Sequence, residues 1–234
     1  METRPFFGPL GDSFEASDKT ELLNVLSHID RNVPAKRKKR DAAGRLRKER
    51  VRTTNDRERY CLVDYLIALA DNDLLQFPLE VTKGESPDFF ITSKKTVLGV
   101  ELSDATSTDW QRELAETEDD PEPELDGDGW VGKLPERQWV SEVFEAVEKK
   151  TRILNKPHYK LSQNNCLLIH DEIQTSLYIH NSEIKSLVSS FLSDYKDFMG
   201  DNPGLRFFDQ ISILRGAALY YDVIGQNLIL RVSC

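Results

Sequence analysis

Apolar positions recur along this chain with two periods, and the change from one to the other marks out its elements. The stretch "NDRERYCLVDYLIALADNDLL" repeats Tyr60, Val63, Leu66, Ile67 and Ala70 at helical spacing, and Asn55 suits its N-cap. Three short β-type runs follow at roughly 79–83, 88–93 and 96–103, with "SKK" at 93–95 as a hairpin turn between the last two. In the third run Val97, Gly99, Glu101 and Ser103 alternate with Leu98, Val100 and Leu102, so each set belongs to one face. "PERQWVSEVFEAVEKKTRILN" has the clearest helical stripe of the chain, from Trp139 and Val140 through Val143, Phe144 and Val147 to Leu154. Pro135 suits its first turn. "NCLLIHDE" reads as a buried strand, and "NSEIKSLVSSFLSDYKDFM" as a helix capped by Asn181 or Ser182 and stopped at Gly200. The end is β-rich, in "QISILR", "ALYYDVI" and "NLILRVS". Near the start, "DKTELLNVLSHIDRNV" forms a short helix with Asp18 or Ser17 as cap and Leu22, Leu23, Val25, Leu26 and Ile29 as its apolar face.

A helix, three strands, a helix, a strand, a helix and further strands, in that order, predict an α/β fold with a mixed sheet flanked by helices. Two stretches fall outside the pattern, and charge singles out both. Residues 36–59 hold twelve Lys or Arg against four Asp or Glu, a balance of +8; the stretch "PAKRKKRDAAGRLRKER" at 34–50 is almost free of large apolar residues and reads as a solvated basic arm, helical when bound. Residues 104–128 hold eleven acids and one arginine, a balance of −10. The segment 107–135 contains Pro121, Pro123, Gly127, Gly129 and Gly132 and reads as a long acidic loop. The expected organisation is an N-terminal helix with a basic arm over 1–53, then one α/β domain over 54–234.

Composition narrows the class. The 234 residues are 39% apolar and 30% charged with a net charge of −9, an ordinary water-soluble balance. No apolar run approaches the roughly 20 residues of a membrane span, and the first twenty residues lack a signal-type apolar core. A cytoplasmic protein is expected. Cys61, Cys166 and Cys234 lie far apart with no CxxC spacing, which argues against disulfides and a structural zinc site.

The candidate chemistry lies in "SPDFFITSKKTVLGVELSDAT", where Asp88 opens one apolar run and Glu101 interrupts another. Two carboxylates on neighbouring strands suit a hard divalent cation such as Mg²⁺ or Mn²⁺, which takes oxygen ligands, water and substrate phosphate. A turn aspartate and a strand glutamate facing water would show the same alternation. What adds weight is the element order around them. Pro87-Asp88 followed by Glu101-Leu102-Ser103, between an acid-bearing helix and a later helix, resembles the PD-(D/E)xK nuclease superfamily, whose core order helix, three strands, helix, strand corresponds to residues 55–172. The resemblance implies a restriction-endonuclease-like fold and Mg²⁺-dependent (or Mn²⁺-dependent) hydrolysis of phosphodiester bonds in nucleic acid, in defence or repair. It implies Asp88, Glu101 and the Leu102 carbonyl as metal ligands, with Glu58 as an auxiliary acid. The family's usual lysine is absent, since Ser103 stands in its place. In some members that lysine comes from the following helix, which here carries Lys149 and Lys150. Helical phase points Lys149 away from the apolar stripe and sets Lys150 at its border, so Lys150 is the first candidate and Lys149 the second.

A chain in which no lysine reaches the site would be a catalytically inactive nuclease-like binding or interaction module. Other chemistries find no support. His158, His170 and His180 show no zinc-ligand spacing, no phosphate-binding glycine loop is present, and Ser103 has no triad partner. The basic arm fits contact with a phosphate backbone, with DNA as the expected partner, or a solubilising or localisation role. The tyrosine-rich C-terminal strands allow a homodimer.

Overall fold

The computed structural model describes residues 6–29, 37–40, 46–49, 54–105, 135–171, 181–215 and 219–222. Four α-helices are described: α1 (Lys19–His28), α2 (Thr54–Asp71), α3 (Pro135–Leu154) and α4 (Asn181–Asp201). The strands are β1 (Ser13–Ala16), β2 (Arg37–Arg40), β3 (Leu46–Glu49), β4 (Leu79–Lys83), β5 (Phe89–Ser93), β6 (Val97–Ala105), β7 (Asn164–Asp171), β8 (Gln210–Arg215) and β9 (Leu219–Asp222). Seven of them form one mixed sheet in the order β1-β4-β5-β6-β7-β8-β9, while β2 and β3 pair as a separate ribbon. The meander β4-β5-β6 is antiparallel, and β6, β7 and β8 run parallel to one another.

Parallel neighbours need a crossover, and α3 supplies it between β6 and β7. Helices cover both faces of the sheet. Phe89, Val100, Leu102, Cys166 and Leu168 pack with Leu62, Tyr65 and Leu66 of α2 and Leu22 and Leu26 of α1. On the other face Leu167, Ile169, Ile211 and Ile213 pack with Trp139, Val143 and Val147 of α3 and Phe191 and Tyr195 of α4. Cys166, Leu167, Leu168 and Ile169 of β7 are all fully buried, which is why that strand reads as an unbroken apolar run. Free cysteines Cys61 and Cys166 are both buried in this core.

Several details differ from expectation. The N-terminal segment is not set apart from the domain. Strand β1 forms the edge of the main sheet against β4, and Phe6, Phe7, Phe14, Leu22 and Leu26 belong to the core under α2. Its four-residue eBeB alternation was too short to register as a strand. Within the basic arm, residues 37–40 and 46–49 pair as a two-stranded antiparallel ribbon; backbone pairing, with no apolar alternation to announce it, defines it. Helix α2 starts at Thr54, so Asn55 lies within it and is not its cap. It is also buried on more than one face, with Cys61, Leu62, Val63, Tyr65 and Leu66 all fully covered. Helix α4 runs past Gly200 to Asp201, because glycine weakens a helix without ending it, and Pro203 follows. The acidic loop over 107–134, the run "NLILRVS", Cys234 and His180 lie outside the described residues. Among the described residues no helix is long and apolar enough to cross a membrane.

Candidate active site

The antiparallel register pairs Phe89 with Val100 and Phe90 with Gly99. Asp88 immediately precedes β5, so one step further along the ladder brings it beside Glu101 and Leu102. Its Oδ2 accepts a hydrogen bond from the Leu102 N–H at 2.8 Å, and its own carbonyl accepts from the Gly84 N–H at 2.7 Å. These two bonds hold the aspartate between the turn 84–88 and the middle of β6. Gly84 is required there, because a Cβ would collide with the Pro87 carbonyl oxygen and stand 2.9 Å from the Phe90 ring.

Glu101 lies in the interior of β6 with its side chain 6% exposed. A charge there needs a partner, and the crossover helix provides one. The Lys150 Nζ donates to Glu101 Oε1 at 2.6 Å. Val143, Val147, Thr151 and Leu154 of α3 are buried, and Lys150 stands at the edge of that stripe with its side chain 19% exposed. Its stem is thus covered while its amine reaches the strand. Lys149, one residue earlier, is exposed and takes no part.

Glu58 joins from the first turns of α2. Lys83, the last residue of β4, stands 2.9 Å from Glu58 Oε2 and 3.8 Å from Asp88 Oδ1. The shorter contact is an ion pair between partly buried side chains. The Lys83 amine also lies over the rings of Phe89, 4.7 Å from its centroid, and Phe6, at 5.3 Å. Phe6 is in turn fixed by its carbonyl, which accepts from Arg59 Nε at 2.6 Å. Three acids therefore meet two lysines. The carboxyl of Glu101 is raised above the usual range, first by burial and next by the charge of Asp88; Lys150 opposes the rise. Glu58 is raised in the same way, first by burial, with Lys83 opposing and Asp88 adding to it. Tyr159, in the loop after α3, stands close enough to Glu101 to temper its rise, and its own hydroxyl is held protonated by burial and by that carboxylate. Tyr159 Oη and Glu101 Oε2 are both buried without a hydrogen-bond partner.

The residues singled out in the sequence separate clearly. Asp88, Glu101, Leu102, Glu58 and Lys150 come together, and Lys149 does not. Sequence reasoning missed Lys83, Tyr159 and Phe6. Lys83 had one faint signal, a cation ending a strand next to the Pro87-Asp88 turn; the other two are brought in by tertiary packing alone. His170 pairs elsewhere, on the α2 face: its Nδ1 is 3.6 Å from Asp104 Oδ1, and Asp104 Oδ2 binds Arg57 at 2.6 Å. His158 is exposed.

The donor set fits a hard cation. Glu101 Oε2 is a buried oxygen with no donor, and the repulsion from Asp88, which adds to burial in raising Glu58 and Glu101, is what a divalent charge would relieve. Among the described residues no group of three or more His, Cys, Asp or Glu is gathered around a single point. A cation here would draw on two carboxylates, backbone oxygen and water, the habit of Mg²⁺. No protein-family model, curated protein or solved structure matches the chain.

Proposed function

We propose that this chain is a metal-dependent nuclease of the PD-(D/E)xK type, with a restriction-endonuclease-like core and phosphodiester hydrolysis in nucleic acid as its reaction. The single observation that carries the reading is the 2.6 Å contact between Lys150 and Glu101, made by a helix 49 residues away in the chain. It restores a lysine to a strand whose own third position is Ser103. The element order α2-β4-β5-β6-α3-β7 supports the same reading, since it brings a helix acid, a strand-start aspartate and a mid-strand glutamate to one place.

In this reading Asp88, Glu101 and the Leu102 carbonyl would hold Mg²⁺ or Mn²⁺. The bound cation would supply charge stabilisation at a phosphoryl oxygen and lower the pKa of water. The protein's own groups do the rest. The Leu102 N–H keeps the Asp88 carboxylate in one rotamer. Lys150, on a buried stem, offers a cation to the charge that grows on phosphate and to an attacking water. Lys83 restrains Glu58 and Asp88 against mutual repulsion. The protonated Tyr159 hydroxyl remains able to donate beside Glu101.

Calorimetric titration with Mn²⁺ tests the reading. Saturable binding is expected in the wild type and lost in Asp88→Ala and Glu101→Ala. A wild type that binds no metal sinks the proposal. Metal binding without cleavage of any DNA or RNA would instead favour an inactive nuclease-like module.

A further inference from the structure

Lys83 ends β4 with its amine beside two carboxylates from different elements. Glu58 of α2 is 2.9 Å away and Asp88, before β5, is 3.8 Å away. The three side chains are only 19%, 13% and 16% exposed, so the cation is fixed within the fold rather than solvated at its surface. Two aromatic rings also receive the amine, Phe89 with its centroid at 4.7 Å and Phe6 at 5.3 Å. Aromatic faces attract an ammonium. They supply no oxygen for the water-rich octahedral shell that Mg²⁺ keeps. The surroundings of Lys83 thus suit an organic cation better than a hydrated metal ion.

Charge points the same way. Three carboxylates, Glu58, Asp88 and Glu101, stand against two ammonium groups, Lys83 and Lys150, which leaves one negative charge. One divalent ion more than cancels it, and a second would add a large positive excess before any phosphate arrives. Sites that use two metal ions set them about 3.5–4 Å apart to serve the attacking and leaving oxygens together. Asp88 is the carboxylate common to both places in this cluster. Its Oδ2 is held by the Leu102 N–H beside Glu101, and its Oδ1 lies toward Lys83.

We infer that the Lys83 ammonium stands in the place of a second divalent ion, so that the site takes one metal ion and one fixed cation of the chain. This rests on the reading of Asp88 and Glu101 as metal ligands. Glu58 is then a positioning residue for Lys83 and not a metal ligand in the wild type. A lysine that served only to neutralise two acids would leave the number of bound ions unchanged when replaced.

The test counts Mn²⁺ per chain by calorimetry and reads the electron spin resonance of the bound ion. The proteins compared are the wild type, Lys83→Ala, Lys83→Gln and the double variant Lys83→Ala/Glu58→Gln. The wild type should bind one ion with the spectrum of isolated Mn²⁺. Each single variant should bind two, with the broadened spectrum of neighbouring ions, and the double variant should return to one. Lys83→Gln keeps most of the stem against the two rings, so the count remains readable if Lys83→Ala fails to fold. Two ions in the wild type overturn the inference. So does a count of one in the folded Lys83 variants, or a second ion that survives Glu58→Gln; in each of these cases the metal-site reading stands. A wild type that binds no ion sinks that reading and this inference with it.

Discussion

Replacing Lys150 by methionine keeps the buried stem and removes the charge that faces Glu101. The glutamate then stays 94% covered, beside Asp88, with no cation of its own. Breaking a fully buried ion pair by removing one partner costs about 3–5 kcal/mol, and the 19% exposure of Lys150 brings the expected cost to about 2 kcal/mol at pH 8. In a chain of this size that lowers Tm by about 4–8 °C. The pH dependence is the sharper signature. The Glu101 carboxyl already titrates above the ordinary glutamate range when folded. A group raised in this way supports the fold fully below its unfolded pKa, and that support is lost as pH rises through the folded value. Without Lys150 the folded value climbs further, so the loss continues to higher pH. The deficit of the variant should therefore be smallest near pH 5, where a proton on Glu101 substitutes for the lost cation. It should widen toward pH 8, by at most about 1.4 kcal/mol per pH unit. Urea unfolding at pH 5, 6, 7 and 8, with the exposed Lys149→Met as control, measures this. A deficit equal to that of Lys149→Met, or one that shrinks as pH rises, would refute the electrostatic reasoning.

Asp88→Ala should destabilise by about 1–3 kcal/mol because it strands the Leu102 N–H, whereas Asp88→Asn keeps an acceptor and should cost less; equal denaturation midpoints would count against that bond. Gly84→Ala forces a methyl group against the Pro87 carbonyl and should cost about 1–3 kcal/mol in a thermal melt, with an unchanged Tm as the contrary result. Asp18 accepts from the Glu21 N–H at 2.9 Å at the start of α1, so Asp18→Ala should cost about 1 kcal/mol, and Asp18→Asn only a fraction of it. Loss of stability shared equally by both Asp18 variants would argue against capping as the cause.

The parts of the site written locally were legible in the sequence. The alternation in "VLGVELSDA" places Glu101 on one strand face, and helical phase alone separates Lys150 from Lys149. The order of helices and strands from α2 to β7 followed from periodicity, because each of these elements is long enough to show its period. The remainder depends on contacts distant in the chain. Lys83 meets Glu58 only because β4 ends beside the start of α2, and Phe6 completes the cradle from the far N-terminus. Tyr159 follows the helix rather than belonging to it, so no spacing rule reaches it. Strand β1 shows two apolar residues in four, too few to stand out from a loop. The basic ribbon escaped for the opposite reason: charge dominates its composition so fully that no hydrophobic alternation reports the pairing.

The most direct measurement is cleavage of labelled duplex DNA and of RNA by the wild-type chain in Mg²⁺ or Mn²⁺, alongside Lys150→Met. Metal-dependent hydrolysis by the wild type is expected, abolished by EDTA. A positioned group that serves proton transfer or charge stabilisation contributes about 10²–10⁴-fold, so Lys150→Met should fall by that order while still binding Mn²⁺. No cleavage by the wild type on either substrate, or full activity in Lys150→Met, would contradict the assignment.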